Sequence, residues 1–238
     1  MSNNEKKCLQ LDHGTWKDHS AFNEDRFWHS VVTTKTAIFT FGGMGSPKAY
    51  EYLPKGSTTW LLGKTEMPES FCFKGAIAVK SASEIWLIGA GYRTNRKILS
   101  FNVNDHTFQL LPTQLIEERD SYRCALIPNT NKIMVTGGLY DNGGVSYSTE
   151  IIDTEDGSVI RASRMNFRRS IHGMGVITNN GEDRLAVFGG RDELNDLDSI
   201  ELYNAKTKEW EIANMKLSQP KSYFGFASVK LSDVIFSV

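Results

Sequence analysis

The 238-residue sequence predicts an all-β fold in which one four-stranded antiparallel unit is repeated. Three observations indicate it. Four short apolar runs each end in a glycine pair or near-pair, and these turns recur at a nearly constant spacing, as in a copied supersecondary unit. The segments between them are of strand length, rich in β-branched and aromatic residues, and without helical periodicity. The turns are Gly42-Gly43, Gly89-Ala90-Gly91, Gly137-Gly138 and Gly189-Gly190.

The copies recur every 45 to 52 residues when the strand before each glycine turn is aligned. The positions placed in register are Ser30, Gly75, Cys124, Gly173 and Gly225. A four-stranded antiparallel sheet repeated at this length is the blade of a β-propeller. We expect units over 26–68, 69–115, 116–165 and 166–217, and a last blade from 218–238 with 7–19. They form one domain, because each blade packs only on its neighbours.

The four strands of each unit are predicted in a fixed order. The first is an apolar run, expected at 31–32, 76–79, 125–127, 174–177 and 226–229. The second ends at the glycine turn, at 37–41, 85–88, 133–135 and 185–188. The third alternates as a half-buried strand does, at 50–52, 98–103, 149–153 and 199–203. The fourth is marked by one large residue: Trp60, Phe108, Ile160 or Trp210.

The two ends of the chain together resemble a fifth unit. Residues 218–238 supply its first strand and the start of its second, while 8–11 fits a third strand and Thr15-Trp16 a fourth. A five-bladed ring closed by the termini is therefore allowed, and closure would remove unpaired strand edges. The alternative is a truncated six-bladed ring, since the sequence stops where another glycine turn is due.

Arginine and aromatic residues accompany the glycine turns at matching places. Arg26-x-x-His29 precedes Gly42-Gly43, Tyr52 and Trp60, and Arg169-x-x-His172 precedes Gly189-Gly190, Tyr203 and Trp210. This pattern resembles the kelch repeat, and the resemblance covers nearly the whole chain. It departs from that pattern at Ala90, at Phe71 in an entry-arginine position and at Ile160 in place of Trp. The resemblance implies a propeller scaffold and leaves function open.

Composition argues against several classes of partner. The 27 basic and 28 acidic residues nearly balance, whereas nucleic-acid binding requires a basic excess. No run of 18 apolar residues is present, so we expect no membrane partner. The first twelve residues lack the apolar core of a signal peptide. Three widely spaced cysteines, Cys8, Cys72 and Cys124, suit the reduced thiols of a cytoplasmic protein. We also expect a monomer. The alternative is a fragment of a secreted parent.

Catalytic motifs are not supported by the spacing of the residues. Gly63-Lys64-Thr65 lacks the first glycine of a phosphate-binding loop, and Gly89-x-Gly91 lacks the third glycine of a dinucleotide site. The five histidines lack zinc-ligand spacing, and we expect His29 and His172 to form hydrogen bonds inside their blades. A propeller-fold metal-dependent oxidase stays open as an alternative, with Tyr122 and Cys124 as the pair to cross-link. We expect no cofactor, no metal and no catalysis.

Two groups of residues are candidates for partner binding. The resemblance implies that the loops entering each first strand and those following each glycine turn open on one face, around a channel mouth. Arginines there could bind carboxylates of an acidic peptide, although each could instead tie down its own loop. Arg119 is placed one residue out of register. Tyrosine and arginine side chains in the variable loops are the second group, because both are common in interfaces. The candidates are Arg26, Arg119 and Arg169, with Tyr92, Arg93, Arg96, Tyr140, Tyr147 and Arg191.

We therefore expect a non-catalytic scaffold that binds a protein or acidic peptide through the channel-mouth face. A second possibility is a fragment of a substrate adaptor of a cullin-type ubiquitin ligase, a role that the kelch resemblance implies only for a longer parent. The sequence does not distinguish these roles.

Overall fold

The computed structural model describes residues 8–12, 15–71, 76–90, 96–179 and 181–223. This part of the chain contains eighteen β-strands and no helix. It therefore has no helix long and apolar enough to cross a membrane. The strands form four four-stranded antiparallel sheets and one two-stranded sheet, which confirms the predicted all-β propeller fold.

The strands follow the predicted order along the chain. Strands β1 and β2 form an antiparallel hairpin, Cys8–Asp12 with Thr15–His19. Blade 1 comprises β3 Ser30–Thr33, β4 Ala37–Phe41, β5 Tyr50–Pro54 and β6 Leu61–Leu62. Blade 2 comprises β7 Ala76–Ser81, β8 Glu84–Ala90, β9 Lys97–Asn102 and β10 Phe108–Gln114. Blade 3 comprises β11 Arg123–Leu126, β12 Lys132–Thr136, β13 Thr149–Asp153 and β14 Val159–Ala162. Blade 4 comprises β15 Gly173–Asn179, β16 Glu182–Phe188, β17 Ser199–Asn204 and β18 Glu209–Lys216.

The first strands of neighbouring blades lie next to each other around the centre, with β7 between β3 and β11 and with β11 next to β15. The β1–β2 hairpin matches the third and fourth strands predicted for the last blade. The first and second strands predicted for that blade lie in 224–238, outside the described residues. Closure by the termini, truncation and the exact unit bounds stay predictions.

Alternate residues of each strand pack against opposite neighbours, because successive side chains point to opposite faces of a sheet. In β8, Ile85 and Leu87 join a core cluster with blade 1, whereas Trp86 and Ile88 join one with blade 3. A third cluster joins blades 3 and 4 around Met134 and other buried side chains. Since both faces are buried, the second strands are nearly continuous apolar runs.

The pairing of strands corrects the predicted register in the third unit. Arg123 pairs with Thr136, the residue before its glycine pair, just as Ser30 pairs with Phe41. Arg123 therefore occupies the place that the sequence alignment gave to Cys124. In the fourth strand, Val159 packs against the core while Ile160 is exposed, so Val159 rather than Ile160 takes the position of the tryptophan. The outer strand of this unit is short and has no aromatic residue, so the sequence alignment was shifted there by one residue.

Candidate protein-interaction face

One face of the propeller is formed by the loops between strands two and three and the loops that enter each strand one. We call it the channel-mouth face. Its two kinds of loop are joined by backbone bridges in three blades, at Phe27–Met44, Asp120–Leu139 and Ser170–Arg191. The bridge holds both loops at a fixed position on their own blade. The described residues of the face are 20–29, 42–49, 63–71, 96, 115–122, 137–148, 163–172, 189–198 and 217–223.

An arginine in three entry loops makes the same set of contacts. In blade 1, Arg26 donates through Nη1 to the Gly42 carbonyl at 2.8 Å and through Nη2 to Glu51 at 2.9 Å. Arg119 bonds to the Gly137 carbonyl at 3.0 Å and to Glu150 at 2.7 Å. Arg169 bonds to the Gly189 carbonyl at 2.6 Å and to Glu201 at 3.0 Å. Arg119 is therefore in register with the other two, and its predicted offset by one residue is wrong.

The glutamate of each pair also holds the start of the entry loop. Glu51 accepts hydrogen bonds from the backbone N–H groups of Asn23 and Glu24, at 2.7 and 3.0 Å. Glu201 does the same for Asn166 and Phe167, at 2.6 and 3.2 Å. Glu150 accepts equivalent bonds from Ile116 and Glu117. Each carboxylate thus accepts hydrogen bonds from its own arginine and from the backbone of its own entry loop.

The second glycine of a pair links one blade to the next. The N–H of Gly43 donates to the carbonyl of Phe71, the entry residue of blade 2, at 2.9 Å. Gly138 donates in the same way to the carbonyl of Arg169, at 2.8 Å. Gly43 has a φ of +95°, and a Cβ there would lie 2.9 Å from the Phe27 carbonyl oxygen, so glycine is required.

The three entry arginines are inside the blades rather than on the surface. The side chains of Arg26, Arg119 and Arg169 and of their glutamates Glu51, Glu150 and Glu201 are 0% exposed. Burial lowers the pKa of Arg169, and the nearby Glu201 opposes that shift. A peptide carboxylate could reach these groups only by displacing a buried glutamate. The geometry therefore favours the alternative in which each arginine ties down its own loop, and peptide binding by them stays a prediction.

The other candidate residues lie in different surroundings. Tyr92 and Arg93 lie outside the described residues. Arg96 is half-buried and donates through Nε to the Leu115 carbonyl at 2.5 Å, which makes it a structural contact. Arg191 is exposed, with Nη1 3.7 Å from the Asp196 carboxylate.

Tyr140 belongs to a polar network at the entry to blade 3. Its hydroxyl accepts a hydrogen bond from Ser146 at 2.8 Å and donates to Glu117 at 3.3 Å. Burial alone would raise the pKa of the Glu117 carboxyl, but the hydrogen bond from Ser148 and the charge of Arg119 lower it below its usual value. The structure therefore brings the two candidates Arg119 and Tyr140 together around Glu117.

Tyr147 lies among arginines between blades 3 and 4. Its hydroxyl accepts a hydrogen bond from Arg164 Nη1 at 3.0 Å. The guanidinium carbons of Arg164 and Arg168 lie 5.2 and 4.6 Å from its ring centroid, within the range of cation–π attraction. Arg164 and Arg168 were not among the sequence candidates.

Exposed large hydrophobic side chains lie on several strands and in the loops of the channel-mouth face. Among the described residues, every exposed large hydrophobic that lies outside a strand belongs to its loops. The described residues in the loops of the opposite face include none. The six are Phe27, Trp28, Met44, Phe167, Leu194 and Tyr223. Trp28 and Phe27 pack together with ring centroids 5.0 Å apart. The repeat alignment missed these residues because they differ from blade to blade.

The histidine and cysteine candidates have structural surroundings. His172 is buried and shares a 2.8 Å hydrogen bond with Thr136 of blade 3, so its predicted bond within blade 4 is wrong. Burial raises the pKa of the Cys124 thiol to about 12, and the neighbouring Tyr122 hydroxyl donates to the Ile88 carbonyl. Across the part of the chain that the structure describes, no group of three or more His, Cys, Asp or Glu side chains could hold a metal ion. Cys72 lies outside that part.

Four antiparallel four-stranded sheets, with their first strands side by side at the centre, define the chain as a β-propeller. A family model for the Kelch motif matches residues 183–214, which span most of β16 to β18. The match and the sheet arrangement together support a kelch-repeat β-propeller family for this chain, as the sequence resemblance implied. Propellers of this family are commonly protein-interaction scaffolds and are generally not enzymes. No curated protein matches the chain.

Proposed function

We propose that this propeller is a non-catalytic scaffold that binds another protein through its channel-mouth face. The observation that carries the proposal is the confinement of loop-borne exposed hydrophobic residues to that face. Leu194 and Tyr223 are 79% and 73% exposed, and Trp28 is 54% exposed. Exposed aromatic and apolar side chains are typical of interaction sites, and Trp28 packs against the exposed Phe27 here.

The scaffold beneath this face supports the same proposal. The buried arginine and glutamate pairs fix the loop backbones, so the outward side chains are held in place before a partner arrives. Fixed loops lose less conformational freedom on binding, which favours affinity. A role in a ubiquitin-ligase substrate adaptor stays a prediction from the sequence resemblance. Action in the cytoplasm as a monomer stays a prediction from the sequence.

The test compares two double variants in an affinity pull-down with mass spectrometry. Trp28→Asn with Leu194→Asn removes hydrophobic side chains from the channel-mouth face, and asparagine tolerates the left-handed φ of +55° at position 28. Leu110→Thr with Ile160→Thr is the matched control, since these exposed residues lie on outer strands. Threonine suits a strand.

We expect the face variant to lose protein partners that the wild type and the control both retain. Melting temperatures of all three proteins establish that the folds are intact. Equal recovery of partners by both variants, or loss only in the control, would place the interface elsewhere.

A further inference from the structure

A cleft of about 400 Å³ lies between the outer parts of blades 3 and 4. It opens where β13 begins and β14 ends, beside the channel-mouth loops. Its lining is polar except for Ala162, and it includes Tyr147, Arg161, Arg164 and Glu209. In ligand sites a few placed polar groups fix the orientation of the ligand, and a lining as polar as this one suits a charged group.

The walls of the cleft are fixed by hydrogen bonds that leave its opening free. Thr149 Oγ1 donates to the Ser163 carbonyl at 2.8 Å, which joins β13 to the end of β14. The Ser163 hydroxyl donates to the Lys208 carbonyl, which joins blade 3 to blade 4. Arg161 Nε lies 3.3 Å from Glu117. These contacts join the walls of the cleft within blade 3 and to blade 4.

Arg164 is the cleft side chain with unused binding capacity. Its guanidinium donates to the Tyr147 hydroxyl at 3.0 Å and lies over that ring. It forms no ion pair within the described residues, unlike the nearby Arg161. A guanidinium has five N–H donors in a planar fork that matches a carboxylate. The contact with Tyr147 fixes the position of the guanidinium and leaves most of its donors for a ligand.

We propose that this cleft binds a carboxylate side chain of an acidic peptide, with Arg164 as the binding residue and Tyr147 as a positioning residue. The inference rests on the proposed scaffold function and names its ligand class and a second site. Because Glu117 offsets the charge of Arg161, Arg164 is the cleft cation that attracts a negatively charged ligand. Glu209 lies in the same lining and reduces that attraction, which favours a single carboxylate over a more highly charged group.

The test measures fluorescence anisotropy with a labelled, C-terminally amidated Asp-Gly repeat peptide and with its Asn-Gly counterpart. Binding is compared for the wild type, Arg164→Gln, Glu209→Gln and Arg184→Gln. Arg184 is the matched control, because it pairs with Glu211 at 2.7 Å outside the cleft. Amidation removes the terminal carboxylate, so only side-chain carboxylates are read.

We expect the Asp-Gly peptide to bind and the Asn-Gly peptide not to bind. Arg164→Gln should weaken binding by about 10-fold or more, because charge-assisted hydrogen bonds are lost. Glu209→Gln should strengthen it by roughly two- to five-fold through loss of like-charge repulsion. Arg184→Gln should have no effect.

The proposal is overturned if both peptides bind equally, if Arg164→Gln binds like the wild type, if Glu209→Gln weakens binding, or if the Asp-Gly peptide does not bind. None of these outcomes decides the scaffold function, since the pull-down reads the hydrophobic residues of the channel-mouth face independently. Near-ultraviolet circular dichroism of each variant establishes that its fold is unchanged.

Discussion

At the position where blades 1, 3 and 4 bury an arginine against a glutamate, blade 2 buries two apolar side chains. Phe71 stands at the entry position, as its carbonyl bond to Gly43 establishes. Leu99 stands at the glutamate position, since it pairs with Leu87 as Glu201 pairs with Val187. Both are fully buried in the cluster between blades 1 and 2. The fold therefore accepts a charged pair or an apolar pair at the same place.

The backbone partners of the pair have changed together with it. In the charged blades the carboxylate accepts a bond from the N–H three residues before the arginine, as from Asn166 in blade 4. The residue three before Phe71 is Pro68, which has no N–H to satisfy. Loss of the acceptor is thus matched by loss of one of its two backbone donors. The glutamate therefore has two roles: it neutralises the arginine, and it accepts hydrogen bonds from the backbone of the entry loop.

The largest expected loss of stability follows the removal of one partner of a charged pair. Arg169→Met in blade 4 leaves Glu201 buried without its counter-charge, and we expect the free energy of unfolding to fall by about 3–5 kcal/mol. Urea denaturation followed by tryptophan fluorescence measures it. Arg168→Met is the matched control, because its side chain is 45% exposed and should change stability by less than about 1 kcal/mol. Equal losses in the two variants would contradict a buried-pair role.

The sequence predicted the scaffold because its strands and glycine turns repeat. It did not predict features that depend on contacts between distant residues or that differ from blade to blade. Strands β4 and β13 were predicted to the residue, since apolar runs bounded by glycine or polar turns leave little freedom. The arginines were found, but their burial was not. The signal was present: Glu51, Glu150 and Glu201 stand at one register in strands that are otherwise largely apolar. The cleft was missed because Arg164 and Glu209 come together only when two blades pack.

Placing the apolar pair of blade 2 in blade 4 tests whether packing can replace the charged pair. Arg169→Phe with Glu201→Leu replaces the charged pair by an apolar one, and we expect the double variant to be about 1–3 kcal/mol more stable than the sum of the single effects predicts. Adding Asn166→Pro should recover further stability, since it removes one of the two N–H groups that lost their acceptor. Urea denaturation of the single, double and triple variants measures the coupling. Purely additive losses would show that the charged pair has a role that packing cannot replace.

His172 gives a smaller effect that depends on pH. Burial, with the charges of Arg123 and Arg169, holds its pKa well below the ordinary value. Below pH about 6.5 the unfolded chain binds a proton that the folded protein does not, so stability falls as the pH decreases, by up to about 1.4 kcal/mol per pH unit. His172→Gln should flatten this slope in urea denaturation between pH 7 and 5. His29→Gln, at the equivalent but less buried position in blade 1, should flatten it less. An unchanged slope in His172→Gln would assign the pH dependence to other groups.

The smallest expected effect concerns the residue two positions after each entry arginine. Trp28, Ser121 and Ile171 all have a left-handed φ, between +47° and +55°, although they belong to different blades. A β-branched side chain is the least suited to this conformation, so Ile171 bears the most strain of the three. Ile171→Asn should therefore stabilise blade 4 by about 1 kcal/mol, whereas Ser121→Asn in blade 3 should change stability by only a few tenths. Thermal and urea denaturation of the two variants compare them directly. A loss of stability in Ile171→Asn would mean that packing of the isoleucine side chain outweighs the backbone strain, and the entry loop of blade 4 would then be fixed by its side chains as well as by its buried ion pair.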